Sequence, residues 1–496
     1  MTLRLRALAP YLAVAFVAIA LREALVARGG GLHASFGYDT SVYYAAADAF
    51  IHGRMPYSDF VLLHPPAIML VLTPAALLGH FTNDHVGFYS ATIGFTILGG
   101  VNAALVAWVA RRWGLARGPA LAGGLFYATW LGAVAAEFSC RLEPLGNAFL
   151  LLGLGLIGPH RKAGGGASGR AFVLGGVALG LAASTKIWFV VPVLVVAGWL
   201  LTRRRRREAG RFALGVGAAL LVVDVPFLVQ SRGAMFSRVV LDQLGRHPNR
   251  VSPRLRWSWL STVGHLPHGA RSNALLVLAA VIFVALIVLA FRAQGPRLFP
   301  LLAVIHVVVL FAAPSWFSFY ADFAAVPVAL SVANAATSTA PRRLGRWVAG
   351  AALTAAVGSS LAVLVAGSMV VSQPWHRLPA LLARVHGVRC VTSDAPSGLI
   401  ELDALDRDLA RGCPNWIDVT GRTYFGRDRE SGTRRNDAQW QRDLVAYLRS
   451  GQAAFVVRST GDGLNRRSRA ALARDRSVVH LPNQALYDVE PGRAQG

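Results

Sequence analysis

From residue 7 to residue 371 the chain alternates long apolar runs with short polar breaks, and beyond that point the pattern changes. A helix needs roughly 17–25 apolar residues to cross a bilayer. Eleven spans are predicted on that basis, near 7–27, 86–110, 118–136, 144–159, 171–185, 187–202, 211–230, 273–291, 298–313, 323–339 and 347–371. The first follows Arg4 and Arg6 as a secretory leader would, but no small-x-small cleavage site comes after it, so it reads as an uncleaved anchor. The run 171–202 is long for one helix and short for two. Both its flanks, His160 to Arg170 and Arg203 to Arg207, are basic, which calls for two short helices turning at Lys186. The apolar piece Ala67 to Leu78 is too short to span and is expected to lie along the interface.

After Ser372 extended and helical patterns alternate: GVRCVTSD, then the helical LIELDALDRDLARG, NWIDVTGRTY, the helical AQWQRDLVAYLRSG, AAFVVRST, the helical SRAALARD and SVVHLP. That order predicts a small α/β domain with a mostly parallel sheet. The expected fold class is therefore a polytopic α-helical membrane protein, residues 1–371, followed by a C-terminal α/β domain, residues 372–496. Cys390 and Cys413 both fall in the second part, consistent with a disulfide on an oxidising side of the membrane, while Cys140 reads as a packing residue. No internal repeat is found, and GGGASG at 164–169 lacks the strand and the GK[ST] of a phosphate loop.

Composition agrees with the pattern: 54% of residues are hydrophobic and 15% charged, against about a quarter charged in soluble proteins. The net charge of +25 does not mark a nucleic-acid binder, because many of the arginines sit in short loops between apolar runs. With the N-terminus inside, the cytoplasmic loops carry 19 Lys/Arg in 48 residues and the outer loops 11 in 120. That bias predicts N-in, C-out insertion in the plasma or inner membrane, with the C-terminal domain extracytoplasmic. Two outer loops, 28–85 and 231–272, are too long to be mere connectors.

The first outer loop reads GYDTSVYYAAADAFIHGRMPYSDFVLLHPP. Asp39 stands about twelve residues after the first span, ahead of Tyr43, Tyr44, Asp48, Asp59 and His64. A carboxylate at the membrane surface suits a general base that deprotonates a sugar hydroxyl; equally, DTSVYYAAADAFI is a fair helix start that Asp39 would cap. The next outer loop, EFSCRLEPLGNAFLLLG, presents Glu137, Arg141 and Glu143, and GLAASTKIWFVVP places Lys186 at the outer turn. Arg binds phosphate bidentately and Lys as a point charge, but Arg141 and Glu143 could also simply pair with each other, and Lys186 could snorkel. Arg246, His247, Arg250 and Arg254 form a basic group in the loop QLGRHPNRVSPRLRWSW, fit for a donor phosphate or for anionic lipid heads. SWFSFYADF at 315–323 puts Tyr320 and Asp322 at the outer end of a span. No His/Cys pair has zinc-ligand spacing, so no metal site is predicted; a divalent cation bound by Asp39 and Glu143 stays open, with nothing in the sequence to support it.

A span, an outer-loop Asp, D-x-x-x-Y, G-R-x-P-Y-x-D-F and H-P-P before an interfacial helix resemble the membrane glycosyltransferases of the GT-C superfamily, over roughly residues 7–340. The resemblance implies a polyprenyl-phosphate sugar as donor, Asp39 as catalytic base with Glu143 as a second catalytic acid, and Arg141, Lys186, Arg246 and Arg250 around the donor phosphate. Tyr43, Tyr44, Asp59, His64, Tyr320 and Asp322 would then contact substrate, with an envelope glycan, glycolipid or protein as acceptor. An Arg- and Ala-rich composition suits an actinobacterial envelope, where mannose or arabinose are the expected sugars. Two other classes stay open: a flippase of lipid-linked sugars, which would show inverted repeats and buried midplane charges, and a non-catalytic envelope scaffold.

Overall fold

The structure, a computed structural model, describes residues 2–159, 168–244, 251–261, 264, 266–338, 342–366, 372–375, 378–422, 434–458, 463–474, 476–481 and 484–488. Helices dominate and follow the apolar runs. Residues Ala7–Arg28 of the first helix, together with Asp84–Arg112, Ala270–Arg292 and Arg343–Ala366, are long and apolar enough to cross a membrane. Arg117–Thr129 and Leu131–Glu137 make a fifth such span when taken as one helix bent by 55°. Other predicted runs fold as shorter apolar helices, Leu142–Ile157, Gly169–Ala183, Ile187–Thr202 and Leu298–Ala312. The 171–202 run is thus two helices, broken at Ser184 to Lys186. Only 28% of the apolar stretch in Ala270–Arg292 is buried, and an apolar face that bare belongs in lipid. The chain is a polytopic helical membrane protein.

Contacts divide the chain into two compact units. The first gathers Met1–Arg28, Ile93–Pro226 and Arg246–Val370. Its helices approach closely through small residues. A Cβ at Gly176 would collide with the Phe212 carbonyl, and one at Gly215 with the Val173 carbonyl, so Gly169–Ala183 and Arg206–Val223 meet backbone to backbone. Where lipid offers no hydrophobic drive between helices, such approach maximises dispersion and packing. The core of the unit includes Phe126, Tyr127, Trp130, Phe172, Phe189, Phe212, Phe299 and Phe323. It also holds a charged knot. Arg22, fully buried, pairs with Glu137, donating from Nε at 2.9 Å, and donates from Nη1 to the Ala18 and Ala128 carbonyls, each at 2.9 Å. Glu137 also accepts from Tyr127 at 2.7 Å and Asn102 at 3.0 Å. A buried pair persists only when its remaining donors and acceptors are met in this way.

The second unit gathers Gly29–Thr92, Phe227–Gly245 and Val371–Gly496. β1 (Ala34–Ser35) pairs antiparallel with β2 (Gln373–Pro374). The helices Tyr38–Ile51 and Ala67–Phe81 follow, the latter at the segment expected to lie along the interface. The C-terminal segment forms a four-stranded sheet in the order β3 (Val391–Ser393), β4 (Ala453–Val456), β6 (Gln484–Asp488), β5 (Ser477–Leu481). Only β3 and β4 run parallel; β4–β6 and β5–β6 are antiparallel. The expectation of a mostly parallel sheet is corrected here. Two residues separate Leu481 from Gln484, far too few for the crossover that a parallel pair needs. Nor does NWIDVTGRTY form a strand among its described residues: Asp418 folds it into a turn by accepting from the Gly421 amide at 2.8 Å. Helix Ala438–Ser450 covers the sheet with Trp440, Leu444, Tyr447 and Leu448. Cys390 and Cys413 are disulfide-bonded, their Cα atoms 5.6 Å apart, and Cys140 is a buried free thiol.

Candidate functional site

In the first unit, residues from three separate stretches of sequence meet. The break after helix Gly169–Ala183 puts Lys186 at the start of a single turn, Ile187–Phe189, with its side chain turned inward and 3% exposed. Its ammonium is ion-paired with Glu143, which is 1% exposed and lies in the first turn of helix Leu142–Ile157. The same ammonium sits over two aromatic faces, 4.0 Å from the Trp188 ring centre and 3.9 Å from that of Tyr320. Arg141, the residue before that helix, lays its guanidinium 4.0 Å over the Phe319 ring. Phe319 and Tyr320 are consecutive in the turn Ser318–Ala324, so one aromatic pair carries both cations. Cation–π contacts of this kind strengthen when water is excluded.

Asp322 lies in the same turn, fully buried. Asn147 donates to its backbone carbonyl at 2.8 Å, Glu137 and Glu143 are its charged neighbours, and its carboxylate oxygens accept no hydrogen bond among the described residues. Sequence reasoning passed over Arg22, which occupies Glu137, and over Trp188 and Phe319, which seat the cations. Aromatic residues beside a predicted cation at a span end were the available signal. The same unit has an apolar groove of about 150 Å³ lined by Phe126, Trp130, Trp257, Leu275, Phe283 and Val332 among others.

The first-loop residues belong to the second unit. Helix Tyr38–Ile51 is capped by Gly37, at φ 76°, without any side-chain cap, so Asp39 is not the N-cap. It is half-buried in the first turn, near enough to Asp418 that its charge helps burial raise the Asp418 carboxyl above the usual range. Tyr38 donates to Asp418 at 3.0 Å. Tyr43, 4% exposed, stands edge-on to His64 with ring centres 5.8 Å apart. Tyr44 is fully buried, its hydroxyl wedged between Gly79 and Gly87. Asp59 is exposed and accepts from the Met55 amide at 2.7 Å. Asp48 is fully buried, and burial, with Asp84 and Asp406 nearby, pushes its carboxyl up to about 9. Arg246, His247 and Arg250 lie outside the described residues; Arg254 donates to the Leu266 and Pro267 carbonyls at 3.3 and 2.9 Å.

No family model matches the chain, and neither does any curated protein sequence. Solved structures do. ArnT from Cupriavidus metallidurans, crystallised bound to undecaprenyl phosphate, superposes with a TM-score of 0.60 at 16% identity, over 97% of this chain and 98% of that one. The Archaeoglobus fulgidus oligosaccharyltransferase in its apo form matches at TM-score 0.54 and 11% identity, over 90% of this chain and 69% of that one. The same enzyme in complex with Zn and sulfate matches at 0.50 and 12%, over 89% and 67%. The chain has the GT-C fold.

Proposed function

We propose that this chain, built on the GT-C fold, is a membrane glycosyltransferase that moves a sugar from a polyprenyl-phosphate carrier to an extracytoplasmic acceptor. The observation that carries the reading is the buried Lys186, held by Glu143 and two aromatic faces beside Arg141. Ionisable groups this deep in a helical membrane protein are costly and functional by default. Two cations on one aromatic shelf suit a phosphate, with Arg141 supplying a planar fork and Lys186 a point charge. An apolar groove in the same unit gives an isoprenoid tail a place to lie.

In the proposed reaction an acceptor hydroxyl attacks the anomeric carbon from the face opposite the phosphate. The new C–O bond forms as the bond to the phosphate oxygen breaks, the bonding electrons leave with the polyprenyl phosphate, and the hydroxyl proton passes to the Asp39 carboxylate. A phosphate leaving group needs no acid, so one base with cationic stabilisation suffices. Glu143 keeps the Lys186 ammonium in place. Eleven spans with the N-terminus inside, and mannose or arabinose as the sugar, complete the proposal.

The test supplies membranes containing the wild type, Asp39→Asn or Lys186→Met with radiolabelled polyprenyl-phosphate mannose and arabinose, and follows label into envelope glycan, glycolipid and protein. Asp39→Asn is expected to lower turnover by about 10²–10⁴-fold. Lys186→Met should lower kcat/KM for donor by about 10³-fold. Folded wild type that transfers neither sugar to any acceptor would end the reading.

A further inference from the structure

Three ligand-type side chains outside the proposed donor site converge within the second unit. His52 ends helix Tyr38–Ile51 as its C-cap, His80 lies in the last turn of helix Ala67–Phe81, and Asp406 comes from the C-terminal segment. One ligand atom from each lies within 4.8 Å of the others. His52 Nε2 is 3.3 Å and His80 Nδ1 2.8 Å from Asp406 Oδ1, and the two rings stand edge to face with centres 5.4 Å apart.

The contacts of His52 fix which ring nitrogen carries its hydrogen. His52 Nδ1 lies 2.9 Å from the Asp48 backbone carbonyl, which only accepts, so Nδ1 carries the hydrogen. In the neutral ring Nε2 is then a bare lone pair. It is buried, makes no hydrogen bond, and faces a carboxylate oxygen. Lone pair against carboxylate is repulsive unless a proton or a metal cation stands between them. Asp48 is fully buried with both carboxylate oxygens unbonded, Oδ1 being 3.6 Å from His52 Nδ1. Among the described residues no Lys or Arg pairs with Asp48 or Asp406. Two helix C-termini, each the negative end of a dipole, end at the histidines.

We propose that His52, His80 and Asp406 bind a divalent transition-metal ion, zinc by its donor set, as a clamp on the second unit. Two imidazoles and a carboxylate are a normal three-ligand set for tetrahedral zinc, leaving the fourth position to water. Ligands about 2.0–2.1 Å from a tetrahedral ion lie roughly 3.3 Å apart, the spacing His52 and Asp406 already have. His80, 43% exposed on its side chain, has room to open to that distance and leaves an entry path. The Nδ1–H to carbonyl bond on His52 is the outer contact that commonly orients a metal-bound imidazole. Bridging the ends of two helices and the C-terminal segment, the ion would fix the helix that begins with Tyr38 and Asp39. His52 is thirteen residues, or about 20 Å of helix, from Asp39, so the clamp does not depend on the proposed chemistry.

The experiment takes full-length protein in detergent, stripped with chelator and desalted, and adds ZnCl2. Bound zinc is counted by elemental mass spectrometry after gel filtration, affinity is read by calorimetry, and the unfolding midpoint is recorded with and without the ion. Wild type is expected to hold one zinc and to melt several degrees higher with it. His52→Ala and His80→Ala should each weaken binding at least about 100-fold, while Asp39→Asn leaves it unchanged. The half-exposed His80 guards against loss of fold in the variants, since its removal opens no cavity. Wild type that retains no zinc, as expected if the cluster holds a proton instead, would overturn the proposal. So would stoichiometric zinc in the His52→Ala/His80→Ala double variant.

Discussion

Burying an ammonium among helices costs several kcal/mol unless a carboxylate meets it, and at Lys186 that carboxylate comes from Glu143, 43 residues earlier. The pair has a consequence for stability as well as for the proposed phosphate. Lys186→Met alone leaves Glu143 buried and uncompensated and should cost about 3–5 kcal/mol. Adding Glu143→Leu should restore most of the thermal midpoint without restoring sugar transfer; transfer by the stable double variant would remove Lys186 from the mechanism. Asp394 gives a second test. Its carboxylate accepts from the Val457 and Arg458 amides at 2.8 and 3.1 Å, yet burial dominates and raises it from 3.8 to about 6. The folded state therefore holds this proton more tightly than the unfolded one. Its stabilisation is complete below about pH 4 and is lost as pH rises through about 6. Asp394→Asn should flatten that slope, worth on the order of 2–3 kcal/mol, in unfolding curves taken between pH 4 and 7.

Helix Gly169–Ala183 shows how a short apolar segment keeps its place. At fifteen residues it is shorter than most spanning helices, and Gly176 lets the backbone of Arg206–Val223 approach until no side chain fits between. Gly176→Leu should push the two helices apart and lower the midpoint markedly, whereas Gly198→Ala, where a Cβ meets nothing within 4 Å, should change it by less than about 0.5 kcal/mol. Melting of the two variants side by side checks the contrast. The break at Ser184 to Lys186 is equally a matter of packing: Ser184 bonds to Asp224 at the end of Arg206–Val223, which anchors the turn that presents Lys186.

For the chain as a whole, the two units are tested separately. Within the second, the Cys390–Cys413 bond closes a loop with a sequence separation of 23, for which chain entropy gives roughly 3 kcal/mol. Cys390→Ser/Cys413→Ser should lower unfolding stability by about that amount, read from denaturant midpoint and slope together, since the freed unfolded chain exposes more surface. The proposed topology is tested by Gly164→Cys, which should react with an impermeant maleimide only in inverted or permeabilised vesicles. Labelling in intact cells would invert the assignment.

Much of the helical order was legible in the residues, because an apolar run long enough for lipid is a local property and a basic flank marks its end. The same reading named Arg141, Glu143, Lys186, Tyr320 and Asp322 from three separate segments, since charges and aromatics at span ends are conspicuous against an apolar background. It did not pair Lys186 with Glu143, or find Arg22 beside Glu137 across 115 residues. It expected parallel strands where a two-residue connection imposes an antiparallel hairpin. It did not bring His52, His80 and Asp406 together, because His80 and Asp406 are 326 residues apart and carry no spacing rule. Hydrophobic periodicity is written into consecutive residues, so it survives without a fold. Which buried charge meets which partner depends on how helices cross, and only the packed chain brings those groups within reach.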